Sequence, residues 1–569
     1  MSSIEIGNYI LARLEQLKVR RMFGVPGDFN LGFLDLVEDH STVDWVGNCN
    51  ELNSAYAADG YARVHETSLG VVLTTFGVGE LSAINGIAGA FSEIVPVLHI
   101  VGVPSTTQQK AKALLHHTLG DGRYDAYTKA AEQFTIAQGH ITDKETAAAQ
   151  IDRVLTECLI KARPVYLTLP TNLVYEKIPA DGLEIPLPRA QPANDADAEN
   201  AALEEIVKIV GGAEVEGGDV VILVDACAIR HDARKEVDAL VRKTGFPVYV
   251  SPMGKTAVSE SYERFGGIYM GSISHPDVKH KVESAKVILS IGSIKSDFNT
   301  GNFTYSIPTA RAIEFHSDHT KVFHATFPAV GMKQLLPLLT ARLQPTTNAV
   351  SVPNFNLNAV LPDESNSIIS QAWLWPRLSH FFRPHDVIVA ETGTSNFGLM
   401  EVPMPEGALF VSQMLWGSIG WAVGSTLGAA FAARDLGFGG RTILCIGDGS
   451  IQLTVQELSV MLRHGLTPII FLLNNAGYTI ERCIRGPERK YNDISNWKWT
   501  KLLEVLGDLD GVESRSYTVK TKAELSALLD TPEFANGKKM QLVEIMMEKQ
   551  DAPRALKIQT AMGSGSYDF

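Results

Sequence analysis

Two short polar segments in the last third of the chain carry side chains that bind hard cations. Asp448 lies in the segment Gly447 to Ser450, and Asn475 lies in the segment Asn474 to Gly477. A carboxylate and an amide oxygen are ligands that suit Mg²⁺, which takes few ligands from protein and the others from phosphate and water. The pair therefore predicts a magnesium site.

The residues beside Asp448 are suited to a phosphate group. Gly449 has no side chain, so the backbone can approach a ligand closely at this point. Ser450 offers a hydroxyl and a backbone N–H at the start of a predicted helix, where the helix dipole favours an anion. Together with the metal ligands, these residues predict a metal-bound diphosphate.

The surrounding elements must bring these segments together. Thr442 to Ile446 and Pro468 to Leu473 are apolar runs typical of buried parallel strands, and Ile451 to His464 has the spacing of an amphipathic helix that Gly465 ends. A βαβ unit of this kind places both polar segments at the carboxyl ends of neighbouring strands, where open α/β sheets bind ligands. A Gly-Asp turn alone is commonplace, but the order GDG, helix, strand and NN resembles the thiamine diphosphate motif.

The composition is that of a globular protein. The chain has 569 residues, 45% hydrophobic and 20% charged, which is enough for about three or four domains. Its net charge is −14 without a basic cluster, which disfavours a nucleic-acid partner. The five cysteines are scattered and include no CxxC pair, which is typical of a reducing compartment, and we expect a cytoplasmic protein.

Two segments of the sequence bear on targeting and on insertion into a membrane. Met1 to Leu17 has the pattern of an amphipathic helix and lacks the basic start and apolar run of a secretory signal. Gly407 to Ala433 contains no charged residue, and its glycines are spaced like those of closely packed membrane helices. Because Gly417 and Gly420 break this segment, we interpret it as a glycine-rich helix buried between sheets or subunits and expect no membrane partner.

Strand and helix patterns alternate through three regions, 1–185, 200–343 and 368–569, which we assign to three domains. The predicted strands are 20–23, 43–47, 71–75, 97–103, 165–169, 220–224, 248–250, 287–291, 312–315, 387–390, 442–446 and 468–473. The polar, proline-containing segments 184–200 and 344–367 are predicted linkers. This alternation predicts an α/β fold of three doubly wound parallel-sheet domains.

Thiamine diphosphate reacts as a carbanion, so its binding site must help to remove a tightly held proton. A carboxylate at the pyrimidine ring, a wedge that folds the two rings together and a backbone carbonyl at the amino group serve this purpose. Glu51, which begins an alanine-rich helix after a predicted strand, is the candidate acid. Ile419 is the candidate wedge, with the carbonyl of Gly417 beside it, and Thr392 and Thr394 are candidate cofactor contacts.

Each of these residues also has an ordinary interpretation. Glu51 could complement the dipole of its own helix, Ile419 could be a core side chain, and the two threonines could cap a turn. The residues by themselves leave these alternatives open.

Further motifs extend over the rest of the chain. They are GVPGDFN (24–30), NCNELNSAYAADGYAR (48–63), TTFGVGELSAINGIAGAFSE (74–93), LLHHTLGDG (114–122), ETGTSNFG (391–398), LWGSIG (415–420), GDGSIQLTVQE (447–457) and NNAGYTIE (474–481). This set resembles the pyruvate decarboxylases of fungi and yeasts. The resemblance covers essentially the whole chain, keeps the order of the motifs and implies the thiamine diphosphate-binding fold.

The resemblance also implies a role for individual positions. The ligands of Mg²⁺ would be Asp448, Asn475 and the carbonyl of Gly477. The residues in contact with thiamine diphosphate would be Glu51, Thr392, Thr394, Gly417, Ile419, Gly449, Ser450 and Ile480. The polar residues facing the substrate would be Asp28, His116, His117 and Glu481, which fit as proton donors and relays. Ala476 stands where close relatives commonly carry an acidic residue, but it contributes no required oxygen.

The activity implied by the resemblance is the non-oxidative decarboxylation of pyruvate to acetaldehyde and CO₂. The alternatives are another 2-oxo acid as substrate, such as indolepyruvate, phenylpyruvate or a branched-chain acid, and a carboligating synthase of the same superfamily. The alternative that is not an enzyme is a filament-forming structural protein with the same fold. Cys227 matches a cysteine proposed in relatives for activation by substrate, although a small residue at a strand end is an equally good interpretation.

The resemblance further implies subunit association. The pyrimidine-side residues lie in the first region and the diphosphate-side residues in the third, so the cofactor must bridge two domains. In the family these domains come from two chains, which implies a homodimer at least and a homotetramer built as a dimer of dimers. The sequence alone also allows bridging within one chain.

Overall fold

The computed structural model describes residues 2–65, 68–189 and 191–563. Three sheets of six, seven and six strands follow one another along the chain, and their central strands, such as Gly70–Thr75, Val220–Val224 and Ile469–Asn474, are buried along their whole length. Burial of this kind requires helices on both faces of a sheet. The predicted α/β fold class is confirmed. Each sheet lies inside one of the three predicted regions, whose exact boundaries stay predictions.

The N-terminal region forms a parallel sheet. Its elements are β1 (Ser3–Glu5), α1 (Ile6–Gln16), β2 (Arg21–Gly24), α2 (Leu31–Glu38), β3 (Asp44–Gly47), α3 (Glu51–Val64), β4 (Gly70–Thr75), α4 (Val78–Ser92), β5 (Val97–Val103), α5 (Thr106–Lys110), α6 (Ala126–Ala131), β6 (Ala137–His140), α7 (Ala147–Lys161), β7 (Val165–Pro170) and β8 (Lys177–Pro179). The strand order is β3-β2-β4-β5-β7-β6, while β1 and β8 form a separate antiparallel pair. The order changes direction between β2 and β4, which opens a crevice at their carboxyl ends.

The middle region forms a mixed sheet. Its elements are α8 (Ala196–Val215), β9 (Val220–Val224), α9 (Ala226–Arg230), α10 (Arg234–Thr244), β10 (Val248–Val250), β11 (Phe265–Ile268), α11 (Pro276–Ser284), β12 (Val287–Ile291), β13 (Ala312–Phe315), β14 (His319–Val322), β15 (Ala325–Pro328) and α12 (Met332–Arg342). The strand order is β11-β10-β9-β12-β13-β14-β15. The first five strands are parallel, and the last two add an antiparallel hairpin at one edge.

The C-terminal region is again a parallel sheet. Its elements are α13 (Gln371–Ser379), β16 (Val387–Ala390), α14 (Thr394–Met400), β17 (Leu409–Val411), α15 (Trp421–Leu436), β18 (Thr442–Gly447), α16 (Asp448–Gln452), α17 (Glu457–Arg463), β19 (Ile469–Asn474), α18 (Thr479–Ile484), α19 (Leu502–Val505), β20 (Ser514–Val519), α20 (Lys522–Leu529), α21 (Pro532–Ala535), β21 (Met540–Met546) and α22 (Arg554–Gly563). The strand order β17-β16-β18-β19-β21-β20 changes direction between β16 and β18.

Two local predictions were wrong. The helix predicted from Ile451 to His464 is broken into α16 and α17, because Thr454 in the intervening turn donates a hydrogen bond to the carbonyl of Gly420 at 2.5 Å. The linker predicted to extend to Asn200 is shorter than expected. The side chain of Asp195 accepts a hydrogen bond from the backbone N–H of Ala198 at 2.9 Å and caps α8 inside the predicted linker.

The charge-free segment near residue 420 forms a helix buried against another domain. Its helix, α15, packs so closely on α3 of the N-terminal domain that backbone atoms of the two helices are in contact. A Cβ atom at Gly428 would lie 1.8 Å from the carbonyl oxygen of Ala57, and one at Gly60 would lie 2.2 Å from that of Ser425. Among the described helices, none is long and apolar enough to cross a bilayer.

Replacing Gly428 by Ala should destabilise the protein. The added methyl group collides with a backbone carbonyl, and overpacking of this kind costs about 1–3 kcal/mol. The matched control is Gly211→Ala on the exposed face of α8, where a Cβ atom meets nothing within 4 Å. Alanine there should be neutral or stabilising by up to about 1 kcal/mol. Thermal unfolding of both variants measures the difference, and equal melting temperatures would contradict the close helix contact.

Candidate active site

The predicted site residues follow the carboxyl ends of strands on both parallel sheets. In the N-terminal sheet, Asp28 follows β2, Glu51 follows β3, and His116 and His117 follow β5. In the C-terminal sheet, Thr392 and Thr394 follow β16, and Gly417 and Ile419 follow β17. Asp448 to Ser450 follow β18, and Asn475 to Glu481 follow β19. Both sets lie beside the points where the strand order reverses, which is where sheets of this kind bind ligands.

Three oxygen-bearing groups converge between β18 and β19. One terminal atom of the Asn475 amide lies 2.8 Å from the carbonyl oxygen of Gly477 and 3.2 Å from Oδ1 of Asp448. With no cation between them, the amide nitrogen is the atom that satisfies these two acceptors, and the amide oxygen then accepts from the hydroxyl of Thr479 at 2.8 Å. If the Asn475 amide rotates by half a turn, its oxygen joins Oδ1 of Asp448 and the carbonyl oxygen of Gly477 at the same point.

This arrangement fits a magnesium ion. Neighbouring ligands of an octahedral Mg²⁺, each about 2.1 Å from the ion, are about 3.0 Å apart. The separations of 2.8 and 3.2 Å lie on either side of that distance. The donors are all oxygens, which Mg²⁺ prefers over nitrogen and sulfur.

The electrostatics of this edge favour a bound cation. Burial raises the pKa of the Asp448 carboxyl to about 6, while backbone N–H groups of Gly449 and Gly477, at 2.8 and 3.2 Å, act in the opposite direction. Burial also raises the pKa of Glu391, at the end of β16, to about 7. A divalent cation beside buried carboxyl groups stabilises their ionised forms.

The loop Ser412 to Gly420 carries the predicted wedge and is tied to the diphosphate motif. Gly417 has a φ of +61°, a left-handed conformation that favours glycine. The hydroxyl of Ser450 accepts a hydrogen bond from the backbone N–H of Gly420 at 3.2 Å. Ile419 is half-buried in this loop. The loop therefore holds Ile419 next to the residues predicted to bind the diphosphate.

Glu93 anchors the other end of this loop and was not singled out from the sequence. Its Oε1 accepts hydrogen bonds from the backbone N–H groups of Met414, Leu415 and Trp416 at 2.8, 2.6 and 3.2 Å. Glu93 is completely buried, and Arg63 lies 3.5 Å from its other oxygen. A glutamate between two apolar runs was the only signal in the sequence, and it did not show which backbone groups it would bind.

Polar atoms near the two threonines indicate a ligand that the chain does not supply. Thr394 begins α14 and is buried, and the hydroxyl of Thr392 donates to the carbonyl of Gln413 at 2.9 Å. Oδ1 of Asn396 and Nε2 of Gln413 are buried and have no hydrogen-bond partner within the described residues. Because buried polar atoms are almost always paired, Oδ1 of Asn396 fits a site that a polar cofactor completes, whereas Nε2 of Gln413 lies beside Gly89 of α4.

Glu51 is the first residue of α3. Asn50 caps the helix by accepting a hydrogen bond from the backbone N–H of Asn53 at 2.8 Å. A Cβ atom at Gly79 would lie 3.1 Å from Oε1 of Glu51, so the carboxylate packs against the start of α4. Glu51 is half-buried and forms no ion pair within the described residues. Its carboxylate can therefore bind a ligand.

Asp28, His116 and His117 form one cluster. Nε2 of His116 lies 2.6 Å from Oδ2 of Asp28, and the rings of the two histidines have centroids 4.7 Å apart. One ligand atom from each of the three residues lies within 4.8 Å of the others. Groups at these distances can share and pass a proton. The structure thus brings the three residues together, and their catalytic roles stay predictions.

The backbone of His117 is held in an unusual conformation. Its φ is +66°, which is uncommon for a residue other than glycine. The hydroxyl of Tyr127 donates to the carbonyl oxygen of His117 at 2.8 Å, and a Cβ atom at Gly77 would lie 2.3 Å from the same oxygen. Strained residues held by their surroundings are concentrated at functional sites, which supports a functional role for His117.

Glu481 and Ile480 lie on α18 in the C-terminal domain. Ile480 packs against an apolar cluster that includes Phe397, Met400 and Leu556. Glu481 is exposed, and within the described residues it makes no hydrogen bond or ion pair with the cluster of Asp28 and the two histidines. In a single chain, the structure therefore does not join all the residues predicted to face the substrate.

Cys227 lies in α9 of the middle domain. It is 8% exposed, and burial raises the pKa of its thiol to about 12. A thiol of this kind is protonated at neutral pH, whereas the thiolate is the nucleophilic form. These features favour the interpretation of Cys227 as a small packed residue over a reactive one.

Replacing Asp448 by Ala should abolish retention of the metal. The substitution removes the carboxylate of the three-oxygen set, and we expect the affinity for Mg²⁺ with thiamine diphosphate to fall at least about 100-fold. Isothermal titration of the apoprotein measures this affinity. The control is Asp510→Asn, which changes an exposed carboxylate far along the chain. Unchanged affinity in the Asp448 variant would show that the three oxygens do not hold the ion.

Comparisons with known proteins agree with this geometry. Residues 4–126 match the N-terminal TPP binding domain of thiamine pyrophosphate enzymes, residues 204–337 match the central domain, and residues 391–545 match the C-terminal TPP binding domain. The pyruvate decarboxylase of Hanseniaspora uvarum is 46% identical over 562 residues, covering 98% of each chain.

Other relatives give the same result. Pyruvate decarboxylase isozyme 1 of Saccharomyces cerevisiae is 46% identical over 560 residues and 98% of each chain. The pyruvate decarboxylase of Aspergillus fumigatus is 45% identical over 559 residues, which cover 98% of this chain and 96% of the relative. The protein therefore belongs to the thiamine pyrophosphate enzymes, in the family that contains the fungal pyruvate decarboxylases.

Proposed function

We propose that this enzyme decarboxylates pyruvate to acetaldehyde and CO₂ with thiamine diphosphate and Mg²⁺. The observation that carries the proposal is the convergence of Asp448, Asn475 and Gly477 on one point, in a chain 45–46% identical to pyruvate decarboxylases over 98% of its length. The cluster of Asp28 with the two histidines supplies the proton-transferring groups that a decarboxylation requires.

Thiamine diphosphate, when bound, would supply a nucleophilic carbon for the 2-oxo group and an electron sink for the decarboxylation. The chain's own residues bind and orient this cofactor. Asp448, Asn475 and the Gly477 carbonyl would hold the ion that neutralises the diphosphate, and Gly449 and Ser450 would contact the phosphates. The carboxyl group of Glu51 would share a proton with the pyrimidine ring nitrogen, and the loop with Gly417 and Ile419 would fold the two rings together.

Proton transfer falls to the residues at the N-terminal edge. After CO₂ leaves, one carbon must receive a proton, and one hydroxyl must later lose a proton before acetaldehyde departs. Asp28 and His116, whose Oδ2 and Nε2 atoms are 2.6 Å apart, form a pair that can hold or release a proton. His117 and Glu481 complete the set that we propose to face the substrate.

Decarboxylation assays with a Glu51→Gln variant test this proposal. Wild-type protein with thiamine diphosphate and Mg²⁺ should release CO₂ and acetaldehyde from pyruvate, and the variant should lose about 10²- to 10⁴-fold in kcat because the amide cannot replace the acid. Glu504→Gln, at an exposed position in α19, is the control. Faster turnover of indolepyruvate, phenylpyruvate or a branched-chain 2-oxo acid than of pyruvate would change the substrate assignment, and absence of CO₂ release from all of them would refute the activity.

We also propose that the active unit is at least a homodimer and that dimers pair into a homotetramer. Large apolar side chains are exposed around the candidate site on both domains, including Val78 at 52%, Leu81 at 43%, Trp416 at 40% and Leu453 at 51%. Apolar side chains collected around one site typically mark an interface. A second copy of the chain would cover them and bring a C-terminal edge to the exposed cluster of Asp28 and His116.

Sedimentation velocity tests this association. We expect a dimer or larger species in the presence of thiamine diphosphate and Mg²⁺, and we expect Leu81→Lys to shift the population toward monomer because a charge is placed in the interface. Val505→Lys, at a position that is 78% exposed in the C-terminal domain, is the control. A monomer with full activity would contradict the proposal.

A further inference from the structure

The side chain of Glu457 connects the C-terminal domain to the N-terminal domain. It is the first residue of α17 and is completely buried. Its two oxygens accept three hydrogen bonds from the other domain: Oε2 from the side-chain amide of Asn48 at 2.8 Å, and Oε1 from the backbone N–H of Cys49 and the side-chain amide of Asn53, both at 3.0 Å.

These three donors surround Glu51. Asn48 and Cys49 lie in the turn that connects β3 to α3, and Asn53 lies in the first turn of α3, the helix that begins at Glu51. An ionised carboxylate accepts hydrogen bonds without donating any, so the three donors favour the ionised form and oppose the burial that raises the pKa of Glu457. Hydrogen bonds to a charged acceptor are stronger than neutral ones, and a buried carboxylate therefore fixes this turn more firmly than a neutral side chain would.

The same helix holds the turn at a second point. Arg463, at the other end of α17, donates a hydrogen bond to the carbonyl oxygen of Gly47, the last residue of β3. Asn48 in turn exchanges two hydrogen bonds with Gly24, at 2.8 and 3.0 Å, where the segment leading to Asp28 begins. One helix of the C-terminal domain thus contacts both sides of the turn that presents Glu51.

We propose that Glu457 is a positioning residue that sets the place of Glu51 relative to the cofactor. The proposal rests on the function proposed for Glu51. These contacts lie within one chain, so Glu457 would place the Glu51 of its own chain whether the diphosphate beside that Glu51 is held by the same chain or by a second copy. A catalytic group must be placed to within about 0.5 Å, and a displacement of about 1 Å can cost about 100-fold in rate.

The variant Glu457→Gln tests the role of the charge. The amide keeps the size of the side chain but replaces one acceptor by an NH₂ group, which then faces N–H donors instead of accepting from them. The turn must shift to relieve this conflict, and Glu51 shifts with it. The matched control is Asp435→Asn, because Asp435 is also a buried carboxylate that binds the N-terminal domain, through Arg21 at 2.6 Å and Tyr61 at 3.2 Å, but away from Glu51.

The readout is the rate at which the C2 proton of bound thiamine diphosphate exchanges with deuterium in the solvent. This rate reports on pyrimidine activation directly, without substrate turnover. In the holoenzyme we expect Glu457→Gln to slow the exchange about 10- to 100-fold, with the affinity for Mg²⁺ and thiamine diphosphate unchanged within about threefold. Asp435→Asn should leave the exchange rate unchanged. Thermal unfolding of each apoprotein shows whether slower exchange comes from a less stable protein or from a displaced Glu51.

A double variant separates this proposal from the function on which it rests. If Glu457 acts through Glu51, the variant carrying both Glu51→Gln and Glu457→Gln should exchange no more slowly than Glu51→Gln alone. Slow exchange in Glu51→Gln together with normal exchange in Glu457→Gln would overturn the positioning role. Normal exchange in Glu51→Gln would instead overturn the proposed role of Glu51. Should Glu457→Gln fail to fold, Asn53→Ser, which removes only one of the three donors, gives the same comparison.

Discussion

Repulsion between oxygen atoms is the constraint on which the site depends. Asp448, Asn475 and the Gly477 carbonyl offer oxygens at 2.8 and 3.2 Å from one another, and like partial charges at these distances are stable only when something positive or a donor lies between them. Without a cation, the amide nitrogen of Asn475 donates hydrogen bonds to the other two oxygens. With a cation, all three groups can turn an oxygen toward it. The ends of β18 and β19 are therefore arranged around a charge that the chain does not contain.

The rest of the site is assembled by contacts between the two parallel sheets. Glu457 fixes the turn before α3, Glu93 fixes the backbone at Met414 to Trp416, and Ser450 holds Gly420. Each bond joins a loop at one sheet edge to a residue of another loop or domain. Loops at sheet edges carry few contacts of their own, so these buried polar bonds give the site its shape.

The sequence predicted the parts of the fold that local patterns specify. Val220 to Val224 is a continuous apolar run of mostly β-branched residues, Val97 to Val103 is mostly apolar, and the structure has strands with both of these bounds. The edge strand β3 was predicted, but other edge strands were missed because their patterns are weak: β20, SRSYTV, is mostly polar and half-exposed. The central strand β21 was also missed, since Gln541 and Glu544 interrupt its apolar run. Their polar groups find partners in Phe534, Asn474 and Thr518, which only the tertiary structure supplies.

In the candidate site, too, the sequence predicted the residues that lie close together along the chain and missed those that lie far apart. The cation ligands could be predicted because their types and spacing lie within one βαβ unit. Glu93 and Glu457 could not, because each contacts residues more than 300 positions away along the chain. From the sequence, Glu457 is an ordinary acidic residue in the middle of the helix predicted from Ile451 to His464. Its role appears only when α17 is seen against the N-terminal domain.

The contact between α3 and α15 also limits how the enzyme can move. At Gly428 and Gly60 the two helices touch through their backbones, so neither can slide or rotate without a collision. A hinge motion between the N- and C-terminal sheets would therefore have to separate α3 from α15 and expose the backbone contact at Gly60 and Gly428.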